Sequence, residues 1–162
     1  DRGAWLYDGE ADLGNGAIFR TAQTVLTDDP LFGWFAYGGT MKKEGGSFLV
    51  EPRDGVRARF SAVTAGTRFT IEMERDGFAQ GKKINVSKSM RRVSFILENQ
   101  SGDDHKTLLS LTSGGKARVK IDGKRIRHSE EKNGSKMYLL PVSSDNHVVK
   151  IRLKHRRNVS LI

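Results

Sequence analysis

The sequence predicts an all-β fold, a two-sheet antiparallel β-sandwich of the jelly-roll or a related type with about ten to twelve strands. Apolar residues recur at every second position over much of the chain, and tight-turn dipeptides separate the alternating runs. No stretch carries the apolar spacing of a long helix. A single sheet of this length could not bury both faces, so two sheets must pack together.

The clearest strand is Arg68-Phe69-Thr70-Ile71-Glu72-Met73-Glu74-Arg75, where Phe69, Ile71 and Met73 point one way and Arg68, Thr70, Glu72 and Glu74 the other. Arg92–Asn99 repeats the pattern with Val93, Phe95 and Leu97 inward, and Lys150-Ile151-Arg152-Leu153-Lys154 does so near the end. Asp122-Gly123 separates Ala117–Ile121 from Lys124–Arg127, which predicts a two-strand ribbon because a type I′ turn needs two residues that tolerate positive φ. Asn133-Gly134 is expected to join Ile126–Ser129 to Lys136–Leu140, and Gly114-Gly115 precedes the first of these strands, so residues 106–142 read as a meander. In the first half, Ala17–Arg20, Trp34–Tyr37, Ser47–Glu51 and Arg57–Ser61 are short runs bounded by Gly, Asp-Pro or Gly-Gly, and each is expected to be a strand. Only Thr21–Leu26 offers anything like a helical turn, and it is too short and too β-branched to propagate.

At 162 residues the chain fits one domain, 1–162, with residues 1–28 as a candidate N-terminal extension packing on it. A chain of this size buries roughly two-thirds of its unfolded surface and needs no covalent or metal staple. It has no cysteine, which excludes disulfides, thiol nucleophiles and thiolate metal sites. No window approaches the run of about 18 apolar residues that a membrane span requires, and Asp1-Arg2-Gly3-Ala4-Trp5 does not read as a signal peptide. The net charge of +9 is unevenly placed: residues 1–81 hold 9 Lys and Arg against 12 Asp and Glu, whereas residues 82–162 hold 19 against 7. A cationic field of this kind attracts nucleic acid, sulfated or uronic polysaccharide, or an anionic membrane surface. Outward alternates of amphipathic strands give the same composition without any partner.

Few motifs carry chemistry. His105, His128, His147 and His155 lie in polar loops or at strand ends without metal-ligand spacing, so they are expected to be solvated and no metal is expected. Gly33–Gly39 and Gly45-Gly46 lack the spacing and the following helix of a phosphate loop, and Gly-x-Ser-x-Gly is absent, so neither a cofactor nor a serine-hydrolase elbow is expected. A glycan-processing acid pair could be drawn from Asp8, Glu10, Asp12, Asp28, Asp29 and Asp54, although Asp-Gly and Asp-Asp-Pro are also ordinary turn formers.

Seven of the 13 aromatic residues, Trp5, Tyr7, Phe19, Phe32, Trp34, Phe35 and Tyr37, fall within the first 37 positions. Flat aromatic faces stack on sugar rings while polar neighbours read the hydroxyls, which makes Trp5, Tyr7, Trp34 and Tyr37, with Asp54, candidate ligand-binding residues. Alternation places Trp34 and Ala36 on one face of their strand and Phe35 and Tyr37 on the other, so at most one face serves as a platform. For a polyanion the candidates are Arg91, Arg92, Arg152, Lys154, Arg156 and Arg157. Single-stranded nucleic acid is disfavoured, because it requires stacking and basic residues interleaved, whereas here aromatics come early and charge late.

The run Asp29-Pro30-Leu31-Phe32-Gly33-Trp34-Phe35-Ala36-Tyr37-Gly38-Gly39, followed by Val50-Glu51-Pro52-Arg53-Asp54-Gly55-Val56-Arg57, resembles domains of unassigned function found with large secreted glycoside hydrolases of Bacteroidetes-type bacteria. Val93–Gly102 and Ala117–Lys124 are similar to accessory β-sandwiches that flank helical-barrel glycosidase domains. The resemblance covers residues 29–153 and carries no catalytic or contact residue over. It implies export to the periplasm, the cell surface or the medium, and a carbohydrate-linked role.

The expected function is therefore a non-catalytic, carbohydrate-associated domain that binds glycan or braces a neighbouring catalytic domain. An acid-pair glycan-processing enzyme and a basic polyanion-binding module are the alternatives.

Overall fold

A computed structural model of the chain describes residues 11–12, 18–19, 23–29, 31, 33–64 and 67–154; the side chains at 11, 12, 18, 19, 29 and 67 lie outside that set. Among the described residues none is helical and no helix is long and apolar enough to cross a membrane.

The strands are β1 (Ala11–Asp12), β2 (Ile18–Phe19), β3 (Thr24–Asp29), β4 (Gly33–Tyr37), β5 (Gly39–Glu44), β6 (Ser47–Pro52), β7 (Arg59–Thr64), β8 (Thr67–Met73) and β9 (Gly77–Phe78). They continue with β10 (Ile84–Ser87), β11 (Arg92–Glu98), β12 (His105–Ser113), β13 (Lys116–Ile121), β14 (Lys124–Ile126), β15 (Glu130–Lys132), β16 (Ser135–Val142) and β17 (His147–Lys154). One sheet has the order β14-β13-β17-β11-β10-β6-β5, with β9 also on β11, and the other runs β15-β16-β12-β8-β7-β3-β4. These two sheets pack face to face as a sandwich. β1 and β2 pair with each other as a separate ribbon.

Period-2 patterning builds both sheets. β17 alternates buried and exposed residues along its whole length, and β11 and β6 do so with half-buried outward positions. The inward sets merge into one core, in which Phe78 meets Phe95 at 4.7 Å and Phe60 at 6.3 Å, both edge to face. Phe60 also lies 6.0 Å from Phe69 of its own sheet, so its contact with Phe78 joins the aromatic rings of the two sheets.

Three expectations change. Thr24–Asp29 is a strand, inserted between β4 and β7 and parallel to β7, the one parallel pairing among the described residues. Its Thr24, Val25 and Leu26 are all buried, and the Thr24 hydroxyl donates to the Val56 carbonyl at 3.1 Å, so this part of the supposed extension belongs to the sheet itself. Second, residues 106–142 are not a meander. β12 and β16 are neighbours in one sheet, while β13 and β14 lie in the other beside β17. The Asp122-Gly123 ribbon does form, with φ of 50° and 82° at the turn. Asn133-Gly134, with φ of 53° and 81°, is a turn of the same kind but joins β15, not Ile126–Ser129, to β16. Local turn chemistry marks where the chain reverses, but which sheet receives each arm depends on long-range burial. Third, the described residues form seventeen short strand segments, more than the expected number.

Candidate functional site

The outer face of the larger sheet concentrates positive charge. β17 alternates Val149, Ile151 and Leu153 inward with Lys150, Arg152 and Lys154 outward. β13 does the same with Val119 and Ile121 inward and Lys116, Arg118 and Lys120 outward. Backbone pairing then sets Arg152 directly opposite Arg92 of β11 on one side and Arg118 of β13 on the other. One row along, Lys150 stands opposite Lys120, which in turn faces Arg125 of β14; one row the other way, Lys154 faces Lys116. Same-face neighbours are about 5 Å apart across strands and nearly 7 Å apart along them, so the charges form a grid. None of these cations forms an ion pair with a described residue.

A shallow groove of about 610 Å³ crosses this face. Arg92, Arg118, Lys120, Lys150 and Arg152 line one part, and Ser47, Asn85, Ser87 and Ser94 another. The cations are exposed, and their proximity gives this surface a concentrated positive field.

Of the expected polyanion residues, Arg92, Arg152 and Lys154 stand in this grid. Arg91 is exposed just before β11, where its carbonyl accepts the Leu153 amide at 2.7 Å. Arg156 and Arg157 lie outside the described residues. Arg118, Lys120 and Lys150 were not singled out from sequence. Their alternation with Val119, Ile121 and Ile151 was visible, but the strand register that brings them to Arg92 was not.

The aromatic candidates are not gathered into one platform. Trp34 is half-buried and packs on the core, its ring 4.3 Å from that of Phe48. Phe35 and Tyr37 occupy the opposite face as alternation requires, edge to face at 4.8 Å, and line a cleft of about 430 Å³ with Glu51, Pro52 and Arg53. Asp54 is held by Arg57 at 3.2 Å. Trp5, Tyr7, Asp8 and Glu10, with the side chains of Asp12 and Asp29, lie outside the described residues, and Asp28 is exposed on β3.

Two histidines expected to be solvated are instead buried and paired, with side chains only 5% and 8% exposed for His105 and His147. His105 Nε2 lies 2.7 Å from Asp76 Oδ2 and its Nδ1 lies 2.8 Å from the Asp103 carbonyl oxygen. Both contacts place ring nitrogens against acceptors, which suits the imidazolium. Asp76 is almost fully buried and also accepts from the Thr107 hydroxyl and, at 3.1 Å, from the Gln100 amide. The bond to Asp76 raises the His105 pKa above its ordinary value. Burial opposes ionisation of Asp76, but its bonds from Thr107, His105 and Gln100 outweigh this and hold its pKa below the usual carboxylate value.

That pair makes stability depend on pH at both ends. The His105 contribution is complete below the ordinary value of 6.5 and lost as pH rises through the raised one. The Asp76 contribution is complete above 3.8 and lost as pH falls through the lowered one. The loop that joins β11 to β12 is therefore expected to be held best from about pH 4 to 6.5. Melting curves from pH 3 to 9 should show stability falling above that window, and His105→Gln should flatten the alkaline fall. Equal slopes in the two proteins would mean that His105 carries no proton in the fold.

His147 has a superficially catalytic arrangement. Its Nδ1 lies 2.6 Å from Asp122 Oδ2 and its Nε2 lies 3.2 Å from Ser143 Oγ, the order of a hydrolase relay. However, Nε2 already accepts the Ser143 main-chain N–H at 3.0 Å, and Ser143 sits only four residues away in the same turn. Asp122 meanwhile accepts the Val148 amide at 2.9 Å, tying the β13–β14 turn to the start of β17. This triad closes a turn. Among the described residues no three His, Asp or Glu side chains come together as a metal site.

Taken together, these features describe an all-β, two-sheet sandwich domain with a strongly cationic outer face. The chain belongs to the family of unknown function DUF5695, whose family model matches residues 7–150. No curated protein and no solved structure matches it.

Proposed function

We propose that this domain is a non-catalytic binding module for anionic polymers and that the polymer lies on the face formed by β11, β17 and β13. The observation that carries this is the direct opposition of Arg92, Arg152 and Arg118 across three neighbouring strands. Like charges facing each other across a strand pair each cost a sheet roughly 0.2–1 kcal/mol. Lys150 against Lys120 and Lys154 against Lys116 repeat that cost, and none of the four is ion-paired with a described residue. An anionic ligand supplies the missing countercharge to all of them at once.

The sequence resemblance supports a wider setting for the same proposal: an exported domain at the cell surface, in the periplasm or in the medium, accompanying a glycoside hydrolase. Anionic polysaccharide is the polymer such a setting offers. Nothing in the positions of Asp28 and Asp54 favours the acid-pair enzyme, since Asp54 is engaged by Arg57.

Salt dependence tests the proposal. With five groove cations releasing counterions at roughly 0.7 each, the log of affinity for an immobilised anionic polymer should fall with the log of salt at a slope of about −3.5. Binding that ignores salt, or no binding to any anionic polymer, would sink it.

A further inference from the structure

The groove on the cationic face is not evenly charged. From Gly46 and Ser47 at the β5–β6 turn it passes over β10, β11 and β17 to β13, so it runs across the strands. Four inter-strand steps of about 4.8 Å give it a length of roughly 19 Å. The cations occupy the half over β17 and β13, together with Arg92. The other half presents neutral groups, with Asn85 directly opposite Ser94 and Ser87 opposite Ser47. The Ser87 hydroxyl is engaged by the Arg91 and Arg92 amides at 3.2 and 3.0 Å. The side chains of Ser47, Asn85 and Ser94 are half-buried and form no hydrogen bond with a described residue. They are donors and acceptors left facing the groove.

We infer that the ligand is a sparsely charged anionic polysaccharide, bearing carboxylate or sulfate groups among free hydroxyls and laid across the strands. The inference rests on the polyanion reading above and narrows it. A nucleic acid carries a phosphate on every residue, and half of the groove has no cation to meet that charge. The groove is also lined by no aromatic ring on which a base could stack. A sugar chain with both kinds of group matches both halves: its hydroxyls exchange hydrogen bonds with Asn85, Ser94 and Ser47, and its anions lie against Arg92, Arg152 and Lys150.

The test compares hyaluronan and κ-carrageenan, which carry one carboxylate or one sulfate per disaccharide, with a single-stranded oligonucleotide and neutral dextran, on the full chain, on the double variant Asn85→Ala with Ser94→Ala, and on Lys150→Glu. Melting temperatures confirm that each variant is folded. The expected result is binding of hyaluronan, κ-carrageenan or both, weakened by about tenfold in the Asn85/Ser94 variant with an unchanged salt slope. Oligonucleotide binding should be weaker and indifferent to that variant, and dextran should not bind. Binding of only one glycan names the anionic group. If the oligonucleotide binds as tightly as the glycans, or if glycan affinity ignores Asn85 and Ser94, the inference fails while the polyanion reading stands, provided Lys150→Glu still weakens binding. If no anionic polymer binds, both fail together.

Discussion

Arg152→Glu is expected to weaken binding of an anionic polymer by about thirtyfold and yet raise the melting temperature by about 2–4 °C. The two effects have one cause. Arg152 is exposed at the centre of the row, with Arg92 and Arg118 directly opposite it on either side. Reversing its charge turns two repulsive cross-strand pairs into two attractive ones, each worth a few tenths of a kcal/mol up to about 1 kcal/mol. A gain of about 1 kcal/mol corresponds to that melting shift in a domain of this size. The same carboxylate repels the ligand and removes a charged contact, a loss of roughly 2 kcal/mol, hence the thirtyfold weakening. Stability traded for function in this way is common at binding sites. Thermal unfolding beside a binding assay checks both, and a variant that melts lower than the parent would contradict the register of β11, β17 and β13.

Phe78→Ala is expected to destabilise the domain by about 3–5 kcal/mol, enough to unfold a large fraction of a marginal fold. Phe78 is 1% exposed and touches the rings of Phe60 from one sheet and Phe95 from the other. It sits on β9, whose backbone is tied to Arg57 and to β11, the Phe78 N–H donating to the Arg57 carbonyl at 2.8 Å, so the strand cannot move far to fill the cavity. Denaturant titration measures the loss. A cost below about 1 kcal/mol would show that the two sheets are not packed through this residue.

Alternation made most of the fold legible. The opposite faces of Trp34-Phe35-Ala36-Tyr37 appear as the spacing required, with Trp34 against Phe48 and Phe35 beside Tyr37. The Asp122-Gly123 ribbon followed from the residues that tolerate positive φ. β3 was hidden because its consecutive Thr24, Val25 and Leu26 are all buried, which erases the period-2 signal there, and because its parallel partner β7 lies over thirty positions away in sequence. The cationic grid was half legible. Arg92, Arg152 and Lys154 stood out as charges, but their meeting with Arg118, Lys120 and Lys150 depends on pairings between β11, β17 and β13 that no local window contains. His105 was misjudged for a related reason: its partner Asp76 is 29 residues distant, and burial of the pair is a property of the assembled sandwich.

The unrelieved repulsion along β17 gives the domain a built-in gauge of its own occupancy. Quieting those charges would be part of a bound polymer's affinity for the folded state, so the melting point should climb with ligand concentration at low salt. A simple dye-based melt in crude mixtures of polymers then ranks them without any label on the protein or the sugar. The ranking should compress as salt rises, because ions in solution quiet the same charges without being read as ligand.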